Sequence, residues 1–477
     1  MAKANAKLDK GLIFLIILSV IIAALTAFVI VDGMLHRSSF LKDKVFINAL
    51  TEALGADGSR RIFPANITKE ELAKVKVLHL DGNYYPDWGY IGEGFNLMLG
   101  YDEAAQYLRN SEANEDYEDE NAESYFISGF SEVDITDFSN LEYFPNLEYI
   151  RIYYQPNLRN LSFFENMASL ESARIEIAVN ATDFSPLSGL TSLRNLTVMG
   201  SNIKNTDVFA DLTGLENLSL VACNLSDISG ISNLTELKSL AVSSNSLDDN
   251  NITLIGDLTP LQNLSKLEQL YLRSSHISDI SALSGLTSLE TLVINDNNIE
   301  NISALSRLAN LTELNISENR ISDLSVLANL PKLELLIADD MGVSDLTPLA
   351  DLKLITRLSL KGNAISDLTP LANLTALETL VLDENIIEDI SPLETLKNSL
   401  KNLSASSNEI ADIGILESFE LLENLNLDYN YIEDFLPLVA LEELGVIQVS
   451  GYDTQLVGWD DENWDDWDDE DWDELDE

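Results

Sequence analysis

Residues 289–310 read LETLVINDNNIENISALSRLAN. Apolar side chains fall at Leu289, Leu292, Ile294, Ile299, Ile302, Leu305 and Leu308, with Asn297 between the third and fourth. From Leu311 the arrangement begins again, 22 residues on. Leu292 and Ile294 are two apart, so an extended strand points both the same way, while Val293 and Asn295 face the opposite side. One such strand cannot bury its own apolar face, but stacked copies can. Asn297 stands where the chain leaves the strand, where a buried amide can pair turn backbone groups. Ile299 to Leu308 bring the chain back along the other side. In several copies this return carries Ser-Pro or Thr-Pro (Ser391-Pro392, Thr347-Pro348, Thr369-Pro370), read here as a hydroxyl cap followed by Pro at the start of a short helical turn.

The spacing L-x-x-L-x-L-x-x-N-x-I is the signature of a leucine-rich repeat. Sixteen starts are read, at Val75, Tyr125, Leu147, Leu170, Leu193, Leu215, Leu237, Leu267, Leu289, Leu311, Leu333, Ile355, Leu377, Leu400, Leu422 and Leu444. The expected fold class is an α/β solenoid: a leucine-rich repeat arc with a parallel β-sheet on its concave face and short 3₁₀ or extended segments on its convex face, after an N-terminal transmembrane helix. A repeat of 22 residues leaves no room for long convex helices.

Composition sets the bounds. The 477 residues are 45% apolar and carry a net charge of −52. Such a surface repels nucleic-acid phosphates and favours cations or basic partners; a salt-adapted host would produce it too. Cys223 is the single cysteine, which excludes an internal disulfide or a cysteine metal cluster. It takes the Asn/Cys position of its own repeat and reads as a core thiol.

Residues 11–31, GLIFLIILSVIIAALTAFVIV, hold no charge over 21 positions, a length that matches a bilayer's hydrocarbon core. They are read as an uncleaved anchor behind a short N-terminus (1–10), with the C-terminal domain outside. Lys3, Lys7 and Lys10 precede the span and Arg37, Lys42 and Lys44 follow it, so the positive-inside count alone leaves the opposite topology open. In residues 38–73, Leu41, Val45, Phe46, Ala49, Leu50, Ala53 and Leu54 mark one helical face, and Thr68 with Glu71 has capping-box spacing. This is the expected helical cap of a repeat domain spanning 75–452.

The string ALTEALGADGSRRIFPANITKEELAKVKVLHLDGN, running into 22-residue repeats with D-[IL]-[ST]-P-L, resembles the helical cap and repeats of the internalin-like bacterial leucine-rich repeat proteins. The resemblance covers roughly residues 40–450. It implies a cell-surface protein that holds a protein or glycan ligand on its concave sheet. The chain departs from wall-anchored relatives, with no LPxTG-type signal after the repeats and an expected membrane anchor before them.

Three stretches interrupt the pattern. Residues 84–124 hold many tyrosines and carboxylates and read as an acidic loop packed by its own aromatics, or as a ligand-contacting insert. Residues 248–257, DDNNITLIGD, lack EF-hand spacing and read as a solvated loop. Residues 459–477 hold thirteen Asp or Glu and four tryptophans; they read as a disordered tail or as a motif for a basic partner.

No catalytic triad, zinc pair or nucleotide loop is present, so neither an enzyme nor a cofactor is expected. His36, His79 and His276 are the only histidines, and His79 should face outward on the first strand. The binding residues expected from strand register are Tyr149, Arg151, Tyr153 and Arg174 in one patch and Tyr271 and Arg273 in another, with Gln269, Arg357 and Lys361 also facing out. Tyr and Arg are frequent interface anchors, although Tyr also suits a strand for its own sake. The leading function is recognition by a membrane-anchored surface protein. The alternatives are an envelope scaffold that binds through its tail and a cytosol-facing adaptor.

Overall fold

The computed structural model describes residues 73–85, 90–100, 104, 105, 108, 126–131, 135, 137–203, 206–243, 255–444 and 448–450. The anchor at 11–31, the helical cap, most of the first and second interruptions and the acidic tail lie outside these residues. Among the described residues no helix is long and apolar enough to cross a membrane. Two compact units divide at Asn298/Ile299.

In the first unit, β1 (Val77–Tyr85) pairs in parallel with β4 (Tyr149–Tyr153), placing Leu78 beside Ile150 and Leu80 beside Ile152. The parallel ladder continues through β5 (Ser172–Glu176), β6 (Asn195–Met199), β7 (Asn217–Val221), β8 (Ser239–Ser243), β9 (Gln269–Tyr271) and β10 (Thr291–Val293). On its other edge β1 pairs antiparallel with β2 (Tyr90–Gly100), which pairs antiparallel with β3 (Phe126–Ser131). This differs from the sequence reading, which starts a coil at Tyr125. The apolar spacing of Phe126, Ile127 and Phe130 fits an antiparallel strand as well as a coil, and β4 already occupies the place beside β1. The first interruption therefore supplies sheet: β2 and β3 continue it beyond β1, where an open edge would otherwise be left for a foreign strand.

The second unit repeats one coil with little variation. Strands β11 (Glu313–Asn315), β12 (Leu335–Ile337), β13 (Arg357–Ser359), β14 (Thr379–Val381), β15 (Asn402–Ser404), β16 (Asn424–Asn426) and β17 (Gln448–Ser450) form a parallel ladder. In both units 3₁₀ turns make the return, among them Ser281–Gly285, Thr347–Leu349 and Thr369–Asn373. Between β16 and β17 a nine-residue helix, α1 (Leu436–Leu444), takes their place. Each coil sends its leucines inward. In the coil at 377, Leu377, Leu380, Leu382, Ile387, Leu393 and Leu396 are fully buried and Ile390 is 1% exposed. Each such side chain contributes on the order of 1.5–3 kcal/mol relative to exposure, which offsets the ordering of a coil with so little regular structure.

The start of each return turn corrects the expected hydroxyl cap. Ser391, Thr347 and Thr369 make no cap of their own. Instead, the Asp two residues earlier accepts their backbone N–H, Asp345 from Thr347 at 2.9 Å, Asp367 from Thr369 at 2.9 Å and Asp389 from Ser391 at 2.8 Å. The same bond recurs at Asp183, Asp227, Asp257, Asp279 and Asp323. A carboxylate accepts charge-assisted hydrogen bonds better than a hydroxyl. The chain's acidity is thus partly structural.

Asn297 acts as its position suggests. Its Nδ2 donates to the carbonyls of Leu272, Ile294 and Asn295 at 2.7–3.1 Å, and its Oδ1 accepts the N–H of Ser275 and of Ile277. In the second unit Asn363, Asn385, Asn408 and Asn430 do likewise. Each reaches back to the preceding coil, as Asn385 does to Leu360 O at 3.0 Å and from Ile365 N–H at 3.0 Å.

Candidate binding face

Strand alternation leaves one row of side chains in the core and the next on the open face of the sheet. On β1, β4 and β5 the open-face row runs His79, Arg151, Arg174 in register, followed two residues on, on β4 and β5, by Tyr153 and Glu176. Glu176 is 4% exposed. It accepts Arg151 Nε at 3.1 Å on one oxygen and an Arg174 terminal nitrogen at 2.9 Å on the other. The Arg151 guanidinium also lies over the Tyr153 ring, 5.3 Å from its centre, within cation–π range. Burial, then the charges of Arg151 and Arg174, push the His79 imidazole down to about 4, so His79 is neutral at pH 7 beside two permanent cations.

The structure brings Arg151, Tyr153 and Arg174 together on the open face. Tyr149 has a different place. It is 4% exposed and packs with Val77, Ala104 and Ala105, with Leu108 against the same cluster. The interruption thus lays Ala104, Ala105 and Leu108 against Val77 and Tyr149. Glu176 was missed in the sequence, although alternation along Ser172-Ala173-Arg174-Ile175-Glu176 points it outward with Arg174. Its burial depends on two arginines from adjacent strands.

The second patch is flatter. Gln269 is exposed, and Tyr271 and Arg273 are half-buried. On the next strand Thr291, Val293 and Asn295 face the same way and are 7%, 7% and 8% exposed. In the second unit Arg357 and Lys361 stand exposed on their open face, with Lys361 Nζ 3.4 Å from Glu384. Beside them Asp339 accepts Ser359 Oγ at 2.7 Å and Lys361 N–H at 2.8 Å. Burial outweighs these bonds and raises its carboxyl to about 6.

Chemically this surface is suited to binding. Among the described residues no cluster of three metal-ligating side chains occurs. Cys223 is fully buried, its thiol directed at the Val198 carbonyl 3.1 Å away and pushed by burial up to about 12, which leaves it unreactive at neutral pH.

Comparison with known proteins agrees with this architecture. The model of the family Leucine Rich repeats (2 copies) matches residues 265–307 and 353–395. No protein of curated function matches the sequence. The chain is similar to the crystal structure of an internalin (inlF) from Listeria monocytogenes, with 29% identity, a TM-score of 0.54, and coverage of 68% of this chain and 85% of that one. A leucine-rich repeat protein of Leptospira interrogans is 19% identical, with a TM-score of 0.46, over 66% of this chain and 99% of that one. Internalin C2 of Listeria monocytogenes is 24% identical, with a TM-score of 0.36, over 49% and 92%. Repeat spacing, the parallel ladder and the likeness to inlF together support an internalin-like leucine-rich repeat architecture for this chain.

Proposed function

We propose that this is a membrane-anchored, surface-displayed recognition protein that holds a partner protein on the open face of its sheet, with residues 11–31 as the anchor. The observation that carries this reading is the assembly of Arg151, Tyr153 and Arg174 around the buried Glu176 on the open face. Four strand positions from two coils converge there, and Arg and Tyr are residue types on which interface energy concentrates. Tyr271 and Arg273 form a second contact region. Tyr149 contributes by packing against Ala104, Ala105 and Leu108.

The net charge of −52 makes the partner a basic protein, because long-range attraction raises the encounter rate. Protease treatment of intact cells tests display: digestion of residues 40–477 from outside is expected. Protection until lysis contradicts surface display and leaves an envelope-enclosed or cytosol-facing domain. Partner capture by the displayed chain should fall at least tenfold in Arg174→Ala and in Tyr271→Ala, and equal capture by both variants and wild type would contradict the face assignment.

A further inference from the structure

We infer that a ridge on the second unit, formed where the chain leaves β14, β15 and β16, is a docking surface for a lysine- or arginine-rich segment of a partner protein. The inference goes beyond the open-face reading and uses none of its residues. In these three successive coils the residue after the turn asparagine faces out, the next is buried, and the one after faces out again. The outward pairs are Ile386 with Glu388, Glu409 with Ala411, and Tyr431 with Glu433, and all six residues are exposed. Ile387, Ile410 and Ile432 between them are buried. Backbone bonds stack the pairs coil on coil. Glu409 N–H donates to the Ile387 carbonyl at 2.9 Å, and Tyr431 N–H to the Ile410 carbonyl at 2.8 Å. Asp389 and Asp412, just beyond the first two pairs, form a parallel bridge. Neighbouring pairs therefore lie about one strand spacing apart, ~4.8 Å.

The stacking makes a checkerboard in which Ile386, Ala411 and Tyr431 alternate with Glu388, Glu409 and Glu433. Ile386 is 49% and Tyr431 66% exposed, so covering them removes apolar surface from water. Among the described residues the ion pairs of the second unit hold Asp351, Glu384, Glu394 and Glu378, and the three ridge glutamates take part in none. Long cationic side chains match both colours of the board. Their aliphatic stems cover Ile386 or Ala411 while their heads reach the adjacent glutamate, and a cation is also attracted to the Tyr431 ring face. An apolar segment would bury the glutamates without compensation. A second copy of this chain, or its own segment 459–477 with thirteen carboxylates, brings like charge to the ridge.

A basic peptide is drawn to any acidic chain, so the test must separate the ridge from the net charge. The full chain is titrated at physiological salt with a dye-labelled peptide of alternating arginine and alanine, read by fluorescence polarisation. Saturable binding is expected. Tyr431→Ser, which changes no charge, should weaken it about tenfold. Glu409→Lys should weaken it at least tenfold. Glu417→Lys makes the same change of net charge at an exposed position on the return turn Gly414–Ser418 of the same coil, and should weaken it less than about threefold. All three side chains are exposed, so the substitutions leave the core intact. Equal weakening by Glu409→Lys and Glu417→Lys, unchanged binding by Tyr431→Ser, or no saturable binding at all each overturns the assignment. The open-face reading is read out separately, by the dependence of partner capture on Arg174 and Tyr271, and stands if the ridge alone fails.

Discussion

Two stretches of this molecule solve the same problem by different means. From β4 to β7 the strands are five residues long, and the turn position that Asn297 fills in its own coil is taken by Gln155, Ala178, Ser201 and Cys223. From β11 to β17 the strands are three residues long, and Asn319, Asn363, Asn385, Asn408 and Asn430 recur at that position. Where asparagine is present, its amide collects the carbonyls two and three residues before it. Asn363 does so from Lys361 and Leu360, although Met341 holds the same position in the coil of β12. Where it is absent the backbone satisfies itself: Ile203 N–H bonds the carbonyl of Cys223 at 3.0 Å, whereas Val343 N–H bonds Asn363 Oδ1 at 2.9 Å. The early stretch is thus held by longer strand pairing and the late one by a side-chain ladder. The longer early strands also present more open-face positions per coil, and the Arg–Glu–Tyr cluster is built on them.

The contrast is sharpest at the ladder itself. Asn385→Ala removes an acceptor and three donations at a buried site and should cost about 3–5 kcal/mol, read as a fall in the denaturant midpoint of the second unit. Cys223→Ala, at the same position of an early coil, should cost only about 1 kcal/mol. Equal costs would erase the distinction.

Acid should act on the two units in opposite directions. His79 has its folded pKa held below the usual value of 6.5, at about 4. Its contribution is present above 6.5 and is lost as pH falls toward 4, up to about 3 kcal/mol. Asp339 has its folded pKa raised from 3.8 to about 6. Its contribution is present below 3.8 and is lost as pH rises through 6, so lowering pH across that window stabilises the second unit. Unfolding followed from pH 7 to 4 should therefore weaken the first unit and spare the second. His79→Gln should flatten the first dependence and Asp339→Asn the second. The cap carboxylates at Asp279, Asp323, Asp345 and Asp367 lie below their ordinary values because Ser and Thr at the turn donate to them. Their contribution is lost only as pH falls below about 3.8, in both units.

A third comparison lies within the return turns. Gly230 stands where other coils carry Pro or Ala, and its N–H is donated to Thr206 Oγ1 at 3.0 Å. A Cβ there would sit 2.2 Å from the Thr206 carbonyl oxygen. Gly230→Ala should cost about 2–3 kcal/mol, whereas at Gly189, where a Cβ meets nothing within 4 Å, the same change should leave the melting temperature within a degree or so.

Much of this was legible in the sequence because the period of 22 fixes strand, turn and return at once. Leu292 and Ile294 point inward, and Asn297 ties its turn, as the spacing requires. The failures share a cause: they depend on partners from elsewhere in the chain. Ser391 and Thr347 look like caps until Asp389 and Asp345 are seen to accept their amides. Tyr125 looks like a coil start until β4 is found against β1. Tyr149 faces outward by register and is covered by Ala104, Ala105 and Leu108, which no local pattern announces. Glu176 alternates with Arg174 in plain view, yet its burial needs Arg151 from another coil.

The most direct test of the ladder account is amide hydrogen exchange on the full chain at single-residue resolution. Ile365, Ile387 and Ile410, whose N–H groups are held by the buried Oδ1 atoms of Asn385, Asn408 and Asn430, should exchange as slowly as the strand amides of their own coils. Ile203, held only by backbone carbonyls, should exchange faster than the strand amides of β6 and β7. Fast exchange at the three isoleucines, or protection of Ile203 equal to its strands, would contradict the claim that the asparagine ladder holds the late coils.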